Sequence, residues 1–288
     1  MLLAVTVIAV VAIAAVVWWR SSSRESWLVG RDGDTAYADG ACRAFAPSTR
    51  WNGFTVFLNP GHGGADPGAV PRPGATEGTE KVLTNAIAQQ TLPLLRDAGF
   101  RVVLSRSGDS SVVRMRPGDV RNGALDPLAI RRDIVARVSC ANAADADVLV
   151  SVHLNSHGDP SAAGAETFFN PNREFSERNR ILAVRLQRSI VTSMRRSGWQ
   201  IRDRGVATDG SAGGEAITRE ADAYDQLLEL GPAATPWFTS PSRMPGAVIE
   251  PLFLTNPDEA RRVMTAAGRT AIARGIVDGV RSYFASSG

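Results

Sequence analysis

Histidine is scarce in this chain, with three residues in all: His62, His153 and His157. Two of them follow apolar runs. His62 comes after Phe54-Thr55-Val56-Phe57-Leu58, in the turn Asn59-Pro60-Gly61-His62-Gly63-Gly64, and His153 ends Asp147-Val148-Leu149-Val150-Ser151-Val152. Glu250 stands in the same relation to Ala247-Val248-Ile249. Strands of one parallel sheet end on the same side, so side chains placed there converge. Two convergent imidazoles and a carboxylate can hold a divalent metal, and a catalytic centre of this kind takes three protein ligands and leaves one position open. Because histidine is so rare, the third ligand is a carboxylate or His157. Glu80 opens a helical pattern after the glycine-rich loop around His62 and is the preferred carboxylate, with Glu77 in the same segment as its rival. The helix dipole alone favours a glutamate at a helix start, so position by itself does not diagnose a ligand. His157, in Ser156-His157-Gly158-Asp159-Pro160, is expected to be solvated. Glu250, at the end of an apolar strand, loses water there. Burial raises a carboxyl pKa toward the range of a usable general base and acid. A structural cap or ion-pair partner is the alternative for that residue.

These positions require a sheet to carry them. Short apolar runs at 54–58, 101–105, 147–153, 165–169, 226–230 and 247–250 predict six strands. Helical spacing predicts helices over 80–98, 127–144, 174–196 and 257–284, with Pro93 kinking or breaking the first and Asn256 capping the last. Residues 202–223 and 231–245 are rich in Gly, Asp, Ser and Pro and read as irregular. Strands alternating with helices define an α/β architecture: a twisted, largely parallel sheet of about six strands flanked by helices, in a single catalytic domain.

With 44% hydrophobic residues the chain can bury a full core. Its net charge is only +3, and no dense Lys/Arg tract with interleaved aromatics is present, so there is no nucleic-acid footprint. A weakly basic surface suits an anionic polymer and simple solubility equally well. Residues 1–19 are apolar except for Thr6 and are followed by Arg20, a run just long enough to cross a bilayer. Residues 1–20 are therefore expected to be a transmembrane or signal-anchor segment, leaving the rest membrane-anchored or secreted. Trp18 and Trp19 are bulky where small residues precede a cleavage site, which favours a retained anchor. Arg20 and Arg24, on the side expected to be external, run against the usual charge bias. Residues 21–52 read as a linker or loosely docked lead-in, and 53–288 as the catalytic domain. Cys42 and Cys140 would meet an oxidising compartment and could pair there, although two separate thiols fit the sequence as well.

The stretch Asn59-Pro60-Gly61-His62-Gly63-Gly64-Ala65-Asp66-Pro67-Gly68-Ala69 resembles the opening motif of the zinc-dependent N-acetylmuramoyl-L-alanine amidases. Glu80-Lys81 with Asn85 resembles their second motif. Ala141-Asn142 followed by residues 146–156 resembles the third, with Arg137 at a matching arginine. Arg204-Gly205-Val206 resembles a late Arg-Gly-Val. Val248-Ile249-Glu250-Pro251-Leu252-Phe253-Leu254-Thr255-Asn256-Pro257 resembles the closing motif with its catalytic glutamate. The resemblance implies that His62, Glu80 and His153 hold one Zn²⁺, and that Glu250 takes a proton from water and passes it to the leaving amine. The substrate it implies is peptidoglycan, cut between the lactyl group of N-acetylmuramic acid and L-alanine of the stem peptide. The segment 208–245 is longer than the family pattern and matches it weakly. A zinc peptidase acting within stem peptides would use the same metal residues, and a non-catalytic wall-binding protein would keep the wall contacts without turnover.

Overall fold

Apolar runs become strands where a turn closes them, and amphipathic runs fold into the helices between. In a computed structural model of the chain the described residues are 27–28, 37–72, 75, 77–121, 123–212 and 219–286. In chain order they form β1 (Trp27–Leu28), β2 (Ala41–Phe45), β3 (Thr55–Pro60), α1 (Glu80–Asp97), β4 (Arg101–Arg106), β5 (Val120–Arg121), β6 (Ala124–Leu125) and α2 (Pro127–Ala143). There follow β7 (Val148–Val152), β8 (Ala165–Phe169), α3 (Ser176–Arg196), β9 (Asp203–Thr208), α4 (Arg219–Tyr224), β10 (Gly246–Glu250), α5 (Pro257–Val263) and α6 (Ala266–Ala285).

One sheet carries eight of these strands in the order β1-β2-β4-β3-β7-β10-β8-β9, and β5 pairs with β6 apart from it. The central four, β4, β3, β7 and β10, are mutually parallel. Pro60 is in register with Val152, and Val152 with Ile249, so β3, β7 and β10 end in one row. Both faces are covered, which is why these strands are buried along almost their whole length. Side chains alternate between faces. Val56 and Leu58 join a core with Leu83 and Ile87 of α1, Leu182 and Leu186 of α3, and Ile272 and Ile276 of α6. Phe57 and Leu149 point the other way, toward Cys140 and Ala141 of α2. The caps follow local chemistry. Asp126 accepts from Leu128 N at the start of α2, and Asn256 caps α5 by accepting from Asp258 N and Glu259 N.

Four expectations need correction. The lead-in, read as 21–52, contains β2, which pairs antiparallel with β4 and is locked in place by a Cys42–Cys140 disulfide with Cα atoms 5.7 Å apart. Five residues of mixed polarity carry no period of their own, so only the partner strand makes them a strand. The same reason applies to β9, read as irregular: it is a largely exposed edge strand, parallel to β8. Residues 226–230 are a turn rather than a fifth strand, with Leu230 N and Gly231 N both donating to Leu227 O. The terminal helix is two helices, because Thr265 starts α6 afresh by accepting from Gly268 N through its hydroxyl. Pro93 sits inside α1 without ending it. The apolar segment 1–20 lies outside the described residues. Among those described, no helix is long and apolar enough to cross a membrane.

The disulfide spans 98 residues of sequence. Closing a loop of that size restricts the unfolded chain strongly, by about 4.7 kcal/mol in the chain-entropy model. The double variant Cys42→Ser, Cys140→Ser is expected to lose stability of that order in urea unfolding, and wild type under reducing conditions should match it.

Candidate metal centre

The row of strand ends delivers three side chains to one point. His62 stands two residues beyond β3, and His153 directly follows β7. Glu80 is the first residue of α1, whose start is tied to the His62 loop by Glu80 N donating to Ala69 O at 2.9 Å. One ligand atom each from His62, Glu80 and His153 lies within 4.8 Å of the other two. Glu80 Oε1 is 3.1 Å from both His62 Nε2 and His153 Nδ1. Backbone amides finish the carboxylate's environment: Leu154 N donates to Oε1 at 2.9 Å, and Ala69 N to Oε2 at 2.8 Å. Glu77 is exposed and does not belong to the cluster, and His157 is exposed as expected.

The loop geometry explains its glycines. His62 itself adopts a left-handed φ of 60°, a strained choice for a non-glycine residue that functional sites tolerate. A Cβ at Gly61 would lie 2.3 Å from the His153 ring, and one at Gly68 would lie 2.6 Å from both Glu80 Oε2 and His62 Cδ2. Two buried arginines hold the turn from beneath. Arg137 donates to Pro60 O at 2.7 Å, His62 O at 2.6 Å and Asn59 Oδ1 at 2.9 Å, and pairs with Asp133 at 2.9 Å. Arg106, fully buried, donates to the carbonyls of Pro60, Gly61, Gly108 and Lys81. Burial, and then the neighbouring charge of Arg137, pull its pKa down to about 9.

The electrostatics call for a cation. Burial would push Glu80 up, but the adjacent histidines hold it well below the usual carboxylate range. Burial would likewise pull His62 down, yet the charges and hydrogen bonds of Glu80 and Asp66 raise it to about 10. Asp66 accepts from His62 Nδ1 at 2.8 Å. Carboxylates that hold a proton this firmly on an imidazole would hold a divalent cation by the same attraction. The donor set, two imidazole nitrogens and a carboxylate oxygen, fits such an ion.

Glu250 ends β10 beside this cluster, opposite Glu166 in the antiparallel register. Part of the residue reaches solvent, but its Oε2 is sealed and has no hydrogen-bond partner. Burial, then the Glu80 charge, raise its pKa well above the ordinary value. Glu166 accepts from Arg204 Nε at 3.1 Å, which places the Arg-Gly-Val arginine on the same rim, over the Phe253 ring. A partly desolvated carboxyl with an unused oxygen is suited to take and return a proton. That His62, Glu80, His153 and Glu250 gather at one end of the sheet was legible in sequence. Asp66, Arg106, Asn59 and Glu229 were not singled out for the site. Arg106 and Glu229 carry the same mark as Glu250, a charge closing or interrupting an apolar run, and that mark was available.

The chain is a layered α/β domain with a His–Glu–His cluster, able to hold a metal ion, at the carboxyl ends of its parallel strands. The family model described as N-acetylmuramoyl-L-alanine amidase matches residues 56–282, and the chain belongs to that family of enzymes. It is 31% identical over 242 residues to N-acetylmuramoyl-L-alanine amidase AmiA of Escherichia coli K12, covering 80% of this chain and 75% of that one. Among solved structures it resembles the N-acetylmuramoyl-L-alanine amidase of Clostridium difficile 630, with a TM-score of 0.59, 29% identity, and coverage of 82% of this chain and 100% of the other. The CwlD amidase of Clostridioides difficile, solved in complex with the GerS lipoprotein, shares the fold at a TM-score of 0.62 and 22% identity, over 81% of this chain and 99% of that one.

Proposed function

We propose that this enzyme hydrolyses the amide between the lactyl group of N-acetylmuramic acid and L-alanine in peptidoglycan, with Zn²⁺ held by His62, Glu80 and His153. The observation that carries the reading is the meeting of that cluster with the unpartnered Glu250 oxygen, in a chain whose relatives bear the amidase name. Zn²⁺ at this position supplies Lewis acidity, polarising an amide carbonyl and acidifying a water. The protein's own residues do the rest. Glu250 accepts one proton as the water oxygen bonds to the carbonyl carbon. It then returns that proton to the stem-peptide nitrogen as the C–N bond breaks, so the products are a lactyl carboxylate and a free amine. The raised pKa of Glu250 suits both halves of that exchange. Arg106 and Arg137 hold the backbone of the His62 turn through its carbonyls.

The wall-facing location follows from the same reading, with residues 1–20 as the membrane anchor. Cell fractionation checks that part: the chain is expected in the membrane fraction and accessible to protease from outside. For the reaction, the purified chain loaded with Zn²⁺ should release intact stem peptides with a free L-alanine amino group from peptidoglycan, and a chelator should stop it. Shortened stems still joined to sugar would instead establish peptidase action and overturn the proposal.

A further inference from the structure

Each histidine of the cluster has two ring nitrogens, and each nitrogen faces a different carboxylate. His62 turns Nε2 to Glu80 at 3.1 Å and Nδ1 to Asp66 at 2.8 Å. His153 turns Nδ1 to Glu80 at 3.1 Å and Nε2 to Glu229 at 3.7 Å. Glu80 is common to both, so it marks the metal side of each ring: Nε2 of His62 and Nδ1 of His153. The other nitrogen of each ring is then free to donate outward. A metal-bound imidazole that donates to a carboxylate is fixed in tautomer and orientation and becomes a more basic ligand. Asp66 fills that place for His62.

We propose that Glu229 fills it for His153, as the positioning residue that orients the ring and strengthens its bond to the metal. This rests on the metal reading given above. Glu229 is 7% exposed, and among the described residues no arginine or lysine pairs with it. Its hydrogen bond comes from Asn59 Nδ2 at 2.7 Å, and Asn59 in turn is held by Arg137 and by Ser151. A buried carboxylate bonded only to a neutral amide needs a positive neighbour, and an imidazole loaded with a divalent cation supplies one. The turn that carries it is rigid. Leu230 is buried against the start of β10, Arg173 donates to the carbonyls of Leu230 and Gly231, and Leu227 N donates to Asp209. This turn lies in the 208–245 segment, so the second outer carboxylate comes from outside the motifs that carry the three cluster residues.

The test is Zn²⁺ affinity measured by competition with a chromogenic chelator, comparing wild type with Glu229→Gln. The variant keeps the shape and the bond from Asn59 in altered form but removes the charge. It is expected to bind Zn²⁺ about 10–100-fold more weakly, while its metal-free form melts with the wild type. Its Co²⁺-loaded form should show a shifted visible spectrum. Wild-type affinity in Glu229→Gln would overturn the proposal and leave the metal centre standing. Failure of wild type to bind Zn²⁺ at all would overturn both. Should Glu229→Gln fold poorly, nitrogen-resolved NMR of the histidines in Zn²⁺-loaded wild type decides the matter. A proton on His153 Nε2 supports the assignment, and one on Nδ1 refutes it.

Discussion

Glu250→Gln is expected to slow peptidoglycan cleavage by about a thousandfold, within the range that a positioned general base contributes, while bound Zn²⁺ stays at wild-type stoichiometry. The amide keeps the volume and one acceptor but cannot take the water's proton. Measuring turnover and metal content on the same preparation separates the two effects, and a variant that retained turnover would remove Glu250 from the mechanism. Stability should move the opposite way. Burial and the Glu80 charge raise the Glu250 pKa in the folded state above its ordinary value of 4.5. A group raised in this way favours the fold fully below its unfolded pKa, and that advantage is lost as pH rises toward the folded value. The metal-free Glu250→Gln variant carries no such penalty. It should therefore melt above metal-free wild type at pH 7, with the difference shrinking toward pH 4. Function at this site is maintained against stability.

Glu80→Gln is expected to abolish activity by removing the metal, with loss of Zn²⁺ affinity exceeding the roughly hundredfold ceiling of outer-shell changes. Glu80 is the residue that touches both histidines and both flanking amides, so no neighbour can replace it. Metal analysis after dialysis reads the effect directly, and a variant that retained stoichiometric Zn²⁺ would assign the third ligand elsewhere. The metal-free proteins should also differ in pH dependence. In wild type His62 is raised from 6.5 to about 10, chiefly by Glu80 against the opposing effect of burial. Its protonated form therefore stabilises the fold fully below about pH 6.5, and that stability is lost as pH rises through about 10. Without the Glu80 charge this slope flattens, and thermal melts between pH 6 and pH 10 compare the two. Parallel melting curves would show that Glu80 does not control His62. Zn²⁺ must displace the same proton, so its binding to wild type weakens at low pH.

The chain itself determined the features that depend on local pattern. Three apolar runs end in His62, His153 and Glu250, and strand ends of a parallel sheet share one side, so their convergence followed from period and connection alone. The central strands and long helices were legible for the same reason. Tertiary structure decided what no local pattern encodes. β2 and β9 are strands because a neighbour offers hydrogen bonds, not because their residues alternate. Glu80, and not Glu77, lies beside both histidines through the path of one loop, whose glycines leave no room for a Cβ against the imidazoles. The disulfide joins positions 98 residues apart, and Asn59 meets Glu229 across 170. Contacts at such separations belong to the packed fold. The three ligand candidates were therefore written in the sequence, whereas the groups that hold and polarise them were assembled only when the sheet, the turn at 227–231 and the helices closed around them.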